Sequence, residues 1–403
     1  MTRTSLFLLA GLLTLPGCDT HEDGPPAFRH ASFYADLQAC AEDFTLVDGD
    51  WKEDFGDAAF YGPAYYVRAG QLEAKQAWLD RAQVAHERNA TVVEGADLVN
   101  GDVNEIAMAA LGMIEYMAAT SDATHLPALN TTLDNLIELV DLLGGYLTEA
   151  LIPGYAMENY GPVSINGLVA LVFLQHAVNL GDENQERYTT WAEALAQRIR
   201  DEAWNGSYYE FNPERPELHL YPNLTLILLH TRLYQLTGDP TQLDRALATY
   251  QGVQPLKVET ASGLVGPGRY FSPYSAEYMG AQTDDYTTLS SQNYLIFALS
   301  LLYQATGEKA FLEEIDPVLD FLEEVLQGDW CRSHFHKWPE LCDPVCEGGL
   351  VCVQGECMEE ACHHGVLHHW MDGRLALPQD PEFFCSGCNL QLLYSLWYRQ
   401  EAL

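Results

Sequence analysis

Five stretches of the chain share one layout, an Asn followed by a run of almost unbroken apolar residues, beginning at Asn104, Asn166, Asn223, Asn293 and Asn389. A helix that is apolar on every side is buried on every side. Three of these runs end in a tight turn: Leu180-Gly181-Asp182, Thr237-Gly238-Asp239 and Thr306-Gly307-Glu308. Gly supplies the left-handed conformation of a helix C-terminus, and the acidic residue suits the start of the next helix. The segment after each turn is amphipathic. Phe311, Ile315, Val318, Leu319, Leu322 and Leu326 recur at helical spacing, with Glu313, Glu314, Asp320, Glu323 and Glu324 between them. Pro317 is expected to kink that helix or restart it. Trp191, Leu195 and Ile199, and likewise Leu133, Leu136, Ile137 and Val140, form the same stripe in two other segments. The repeating unit is therefore a buried inner helix, a tight turn and a half-exposed outer helix.

Tyr61-Gly62-Pro63 echoes Tyr160-Gly161-Pro162 at the start of a later inner helix, and marks a first, short inner helix. That makes six inner helices, of which the last, residues 388–400, ends without an outer partner. Residues 31–44 read as an unpaired amphipathic helix at the other end. Pairing the two closes a ring of six hairpins over 31–403, whereas an open solenoid would need polar caps that are absent here. The expected fold class is all-α. This layout resembles the (α/α)6 toroid of the six-hairpin glycosidase-like superfamily, on architecture rather than on a residue motif. The superfamily includes glycoside hydrolases, polysaccharide lyases, sugar epimerases and members of unclear catalytic status. The resemblance implies a carbohydrate ligand in a central funnel. Hydrolysis is the leading expectation; epimerase, lyase and non-catalytic glycan-binding or scaffold roles stay open.

Links from inner to outer helix are tight, but links back to the next inner helix are long: 91–102, 148–164, 204–221, 252–289 and 327–385. Long loops in a compact domain are usually functional, and these gather at one end of the ring, over the N-termini of the inner helices. The repeated Asn can cap those helices, bond neighbouring ones or touch a ligand. Sugars bind through aromatic platforms and through carboxylates or amides. Trp51, Asp102, Tyr160, Tyr208, Tyr278, Trp370 and Asp372 are the candidates for such contacts. Glycoside hydrolysis commonly needs two carboxyl groups, one acid and one base or nucleophile. Asp284-Asp285, just ahead of an inner helix, is the leading pair, followed by Glu158 and Asp57. The adjacent aspartates are similar to those of the α-mannan-cleaving members of the superfamily. In a chain with 58 acidic residues, an adjacent pair also fits plain turn or capping chemistry. An epimerase would use histidines at the funnel floor, where His219 and His230 are the ones near an inner helix.

The N-terminus carries an apolar run over residues 6–15, about half the roughly twenty residues that a membrane span requires. Leu15-Pro16-Gly17-Cys18 resembles the bacterial lipobox, which implies lipidation at Cys18 after removal of a signal peptide (1–18). Residues 19–30, with Pro25-Pro26, then read as a polar tether. No later stretch reads as a membrane span, so the expectation is a lipid-anchored protein of the bacterial envelope, periplasmic or at the cell surface. A net charge of −38 argues against nucleic acid or an anionic membrane surface as partner. The 48% hydrophobic content excludes disorder. The acidic surface fits solvation in salty surroundings, calcium sites or a cationic ligand.

Eight cysteines (Cys331, Cys342, Cys346, Cys352, Cys357, Cys362, Cys385 and Cys388) crowd residues 331–388, while Cys40 stands alone. Outside the cytoplasm this density reads as a disulfide-stapled insert. The alternative is zinc, because His334, His336, His363, His364, His368 and His369 share the segment. Trp330-Cys331 and Cys362-His363-His364-Gly365 faintly resemble the zinc ligands of lanthionine cyclases, without the glycines those motifs carry after the first Cys. No resident metal or cofactor is expected.

Overall fold

The structure, a computed structural model, describes residues 28–41, 55–98, 103–148, 154–212, 215–258, 269–270, 286–323, 350–353, 356–359, 370–372 and 386–401. The inner helices are α2 (Phe55–Glu73), α4 (Val103–Thr120), α6 (Gly154–Asn179), α8 (Leu220–Thr237), α10 (Leu289–Thr306) and α12 (Ser386–Glu401). The outer layer comprises α1 (Ala31–Ala41), α3 (Gln76–Glu94), α5 (Leu126–Leu142), α7 (Gln185–Ala203), α9 (Pro240–Val253) and α11 (Ala310–Phe321). Each inner helix packs on the next, and α12 packs on both α10 and α2, so the ring closes. The inner helices run parallel: Gln391 reaches Tyr61 near one end of the ring, and Tyr398 reaches Gln304 near the other. Gly181, Gly238 and Gly307 carry positive φ at the short turns, and Asp239 accepts a hydrogen bond from the Thr241 amide as a cap.

Three expectations need correction. The first inner helix is full length, 19 residues, despite Gly62-Pro63. Proline has no N–H and leaves the carbonyl four residues earlier without its helical partner. That carbonyl belongs to Ala59, and the Asn89 side chain of α3 donates to it at 2.6 Å. At the same spot Gly112 lets α4 pass close, since a Cβ there would lie 2.1 Å from the Ala59 oxygen. Second, the long links are not structureless. Among the described residues they carry four two-stranded antiparallel sheets: β1 (Glu210–Asn212) with β2 (Arg215–Leu218), β3 (Lys257–Val258) with β4 (Arg269–Tyr270), β5 (Tyr286–Thr288) with β8 (Trp370–Asp372), and β6 (Leu350–Val353) with β7 (Glu356–Glu359). Third, Gly161–Asn179 is long and apolar enough to cross a membrane, but 89% of that window is buried within the protein, as a core helix requires. Pro317 lies inside α11, which continues past it to Phe321.

The recurrent Asn residues stitch the ring. Asn166 accepts from the Leu147 amide at 2.9 Å and donates to the carbonyls of Leu147 and Pro162. Asn223 repeats the pattern with Tyr209 and His219. Each ties an arriving long link to the start of an inner helix and satisfies buried backbone groups that would otherwise cost stability. Outer helices are joined by histidines in two places. His125, ahead of α5, lies 3.0 Å from Glu94 and 3.3 Å from Glu87 of α3. His30, ahead of α1, lies 2.9 Å from Glu323, just past α11.

Candidate site at the long-link end of the ring

The parallel inner helices aim their N-termini, with their partial positive charge and spare amides, at the end where the long links gather. Below that opening the axis is closed by aromatic side chains. Tyr221 and Tyr294 stand 4.6 Å apart between ring centroids, Tyr294 meets Tyr61 edge-on at 6.3 Å, and Tyr394 lies 5.8 Å from Tyr61. Tyr61 also takes a 3.4 Å hydrogen bond from Gln391. Beneath this floor is an apolar cavity of about 20 Å³, bordered by Gln175 and Arg232 at its polar end. That is room for about one water molecule, so no larger ligand fits beneath the aromatic floor.

The far end of the axis is polar. Arg68 pairs with Glu115 at 3.0 Å, Asn179 donates to the other Glu115 oxygen, and Arg232, Gln235, Gln304 and Tyr398 form a hydrogen-bonded chain. These groups sit at the exit ends of the inner helices, away from the long links.

Of the candidate residues, Asp57 falls in the first turn of α2, and Glu158 and Tyr160 fall early in α6, ahead of a break at Gly161. That glycine has φ 68° and ψ 162°, and a Cβ there would lie 2.7 Å from the Phe211 carbonyl oxygen. Only glycine fits such a conformation and approach. Tyr208 is half-buried in a turn organised by the Asn205 side chain, against Gly252 near the end of the outer helix α9. Trp370 and Asp372 belong to β8, whose register sets Asp372 opposite Tyr286 and Trp370 opposite Thr288. Asp284 and Asp285 immediately precede Tyr286 in the sequence, and Thr288 leads directly into α10. Trp51, Asp102, Tyr278, Asp284, Asp285 and Cys18, and the side chains of Asp57, Glu158, Tyr160, Trp370 and Asp372, lie outside the described residues.

Two histidines can now be placed. His230 is fully buried: Nδ1 lies 2.8 Å from the Gln242 carbonyl oxygen and Nε2 lies 2.8 Å from the Tyr209 hydroxyl. Because Gln Oε1 only accepts, the proton sits on Nδ1 and Nε2 accepts from the tyrosine. Burial pushes its pKa down to about 4, which makes it a neutral structural group. His219 stands at the N-cap of α8, buried and stacked on Phe211 with centroids 4.2 Å apart. Among the described residues no group of three or more His, Cys, Asp or Glu could hold a metal ion. Most of the cysteine-rich insert lies outside them, although β6 and β7 set Cys352 opposite Cys357. Sequence reasoning missed Tyr221, Tyr294 and Tyr394 as the floor of the opening. Their position beside the recurrent Asn residues was a usable signal for the first two.

No family model matches the chain, and no curated protein matches its sequence. Solved structures do match. A D-mannose isomerase superposes with a TM-score of 0.63 at 12% identity, over 94% of this chain and 100% of that one. The GH76 α-mannanase of Bacteroides thetaiotaomicron gives 0.58 at 11% identity, over 93% and 97%. The cellobiose 2-epimerase of Bacillus thermoamylovorans gives 0.55 at 11% identity, over 85% and 87%. At such identities the likeness is one of fold, and that fold is the (α/α)6 toroid.

Proposed function

We propose that this chain binds a carbohydrate over the aromatic floor and cleaves it by acid–base chemistry of carboxylates, as an exported protein held to the bacterial envelope through a lipid on Cys18. The observation that carries the reading is the β5–β8 ladder. It draws Asp372, from a segment more than eighty residues downstream, to the residue that follows Asp284-Asp285, three residues ahead of an inner helix. The ladder joins the backbones of two separate links at the start of α10, and a two-carboxyl mechanism, which draws on acids from separate segments, makes Asp284, Asp285 and Asp372 the residues to test. The helix N-termini around it favour ionised carboxylates, and aromatic rings below suit the C–H faces of a sugar. Neighbours of the same fold include a protein described as an α-mannanase, so α-mannan oligosaccharides are the first substrates to try. Asp284→Asn, Asp285→Asn and Asp372→Asn should be compared with the parent chain for release of reducing ends. Loss of a true acid or base lowers turnover by at least about a hundredfold with the fold intact. If all three variants retain parental rates, the carboxylate assignment is wrong.

A second reading is epimerisation or isomerisation. It is supported by His219 at the mouth of α8, and by the neighbours described as a D-mannose isomerase and a cellobiose 2-epimerase. Product analysis separates the two: hydrolysis shortens an oligosaccharide, whereas epimerisation keeps its length and changes one centre. Saturable binding with neither product would leave the non-catalytic glycan binder.

A further inference from the structure

The short-turn end of the axis carries more hydrogen-bond donors and more positive charge than its own residues can satisfy. Inner helices α2 and α8 stand opposite one another in the ring of six, and each brings one arginine to this level, Arg68 and Arg232. The acceptors around them are already taken. One Glu115 oxygen receives Arg68 at 3.0 Å, and the other receives Asn179 at 3.0 Å. Gln175 Oε1 also receives Asn179, Gln235 Oε1 receives Arg232, and Gln304 Oε1 receives both Gln235 and Tyr398. The Nε–H groups of Arg68 and Arg232 are left buried with no partner. A buried donor without an acceptor is costly, most of all on a charged group. The charges are unequal in the same sense, two guanidinium groups against one carboxylate. Arg68, Arg232 and Glu115 all act on the buried Tyr394 hydroxyl, so the three charges surround one point. Burial keeps Tyr394 and Tyr398 protonated, and neither supplies the missing negative charge.

Helix C-termini do not account for this excess. Their pull on a cation falls off within the last turn, whereas Arg68 lies five residues before the end of α2 at Glu73, and Arg232 five before the end of α8 at Thr237. We propose that the polar end of the axial cavity holds one small monovalent anion, of the chloride class, on the guanidinium of Arg232, with Arg68 supplying the second positive charge. The cavity under the aromatic floor is bordered by Arg232 and Gln175, with Leu111, Leu168 and Leu228 on its apolar side. Its volume is about 20 Å³. One water needs roughly 10–15 Å³, so a single-atom ion fits in place of that water, and phosphate or a carboxylate does not. A water satisfies a donor but leaves the charge uncompensated. A halide does both. Tyr61 and Tyr294 line the same cavity and belong to the floor of the opening, so the ion sits directly beneath the ligand side. A chain of net charge −38 repels anions in general, and saturable anion binding to it requires a built site such as this one.

The test is a titration of the purified full chain with sodium chloride, followed by the line width of the chloride NMR signal. Ionic strength is held constant with sodium gluconate, which separates a bound ion from screening. Exchange with an asymmetric site broadens the line. The broadening is expected to saturate, to be reversed by sodium bromide, and to vanish in Arg232→Gln. Glu115→Gln removes the one carboxylate and keeps both arginines, so it should tighten chloride binding by at least about tenfold. That direction is opposite to the weakening expected if Glu115 only holds the helices together, and it serves as the deciding variant should Arg232→Gln fail to fold. Broadening in the parent that never saturates overturns the anion site and leaves a buried water as the occupant. Saturable broadening that persists in folded Arg232→Gln, or that is unchanged or weaker in Glu115→Gln, also overturns it.

Discussion

At the level of single residues, the pH response of the fold rests on histidines. His86 is buried against Tyr116, ring over ring at 4.2 Å, and neither of its nitrogens has a hydrogen-bond partner. Burial, with a smaller push from His125, holds its pKa down to about 4, as burial does for His230. Both are neutral in the fold but take up a proton near pH 6.5 when unfolded. Their contribution to stability is thus complete above about pH 6.5 and is lost as pH falls toward about 4. His125 works in the opposite sense: its hydrogen bond to Glu94 raises its pKa, so its contribution is present below about pH 6.5 and fades as pH rises through the raised value. His86→Phe should keep the stacking and remove one group that refuses the proton. The drop in melting temperature between pH 7 and pH 5 should therefore be smaller than in the parent, by roughly a few degrees; an unchanged drop would show that His86 does not titrate as argued. Adjacent acids at 284 and 285 were legible in the sequence, but the pairing of residues 286 and 372 was not, because a ladder across so long a separation leaves no local pattern. Periodicity could not mark Tyr221 and Tyr294 as floor residues, because an inner helix apolar on every side has no period to reveal which side meets the axis, and only their place beside the recurrent Asn residues pointed to them.

Among the elements, the hairpin repeat was readable from apolar runs and Gly turns, and the structure returns it with every turn glycine in the left-handed region. Gly62-Pro63 misled for a physical reason. A Pro inside a helix costs stability because a carbonyl goes unpaired, and here a side chain from the next helix supplies the missing donor. Sequence alone does not connect Asn89 to Ala59. Asn89→Ala should leave that buried carbonyl unsatisfied and destabilise the chain by about 1–3 kcal/mol. The loss should register as a lower denaturant midpoint with an unchanged slope. A variant as stable as the parent would mean that α2 tolerates its proline without help. The link strands were missed for a related reason. Segments such as Lys257–Val258 are two residues long and exist only through their partner, below any length at which alternation is visible.

For the molecule as a whole, ring closure followed from two orphan helices at opposite ends of the chain, and α1 and α12 do pack together. What closure does not relieve is charge. The chain carries −38, and its surface ion pairs, such as Arg187 with Asp134, are exposed on both sides and worth at most about 1 kcal/mol each. Self-repulsion in the compact state therefore outweighs local pairing, and screening should stabilise the fold. The Debye length shrinks from about 30 Å at 0.01 M to about 3 Å at 1 M salt, so raising sodium chloride across that range should raise the melting temperature. If surface pairing outweighed repulsion, the melting temperature would fall instead. The same titration separates diffuse repulsion from specific calcium sites among the acidic residues. Screening depends on ionic strength, so calcium chloride matched to sodium chloride in ionic strength gives a similar gain if repulsion is the whole effect. A calcium site instead adds stability that grows with the logarithm of calcium concentration above its dissociation constant. A gain at matched ionic strength that a chelator abolishes would move the explanation from the overall field to a bound ion.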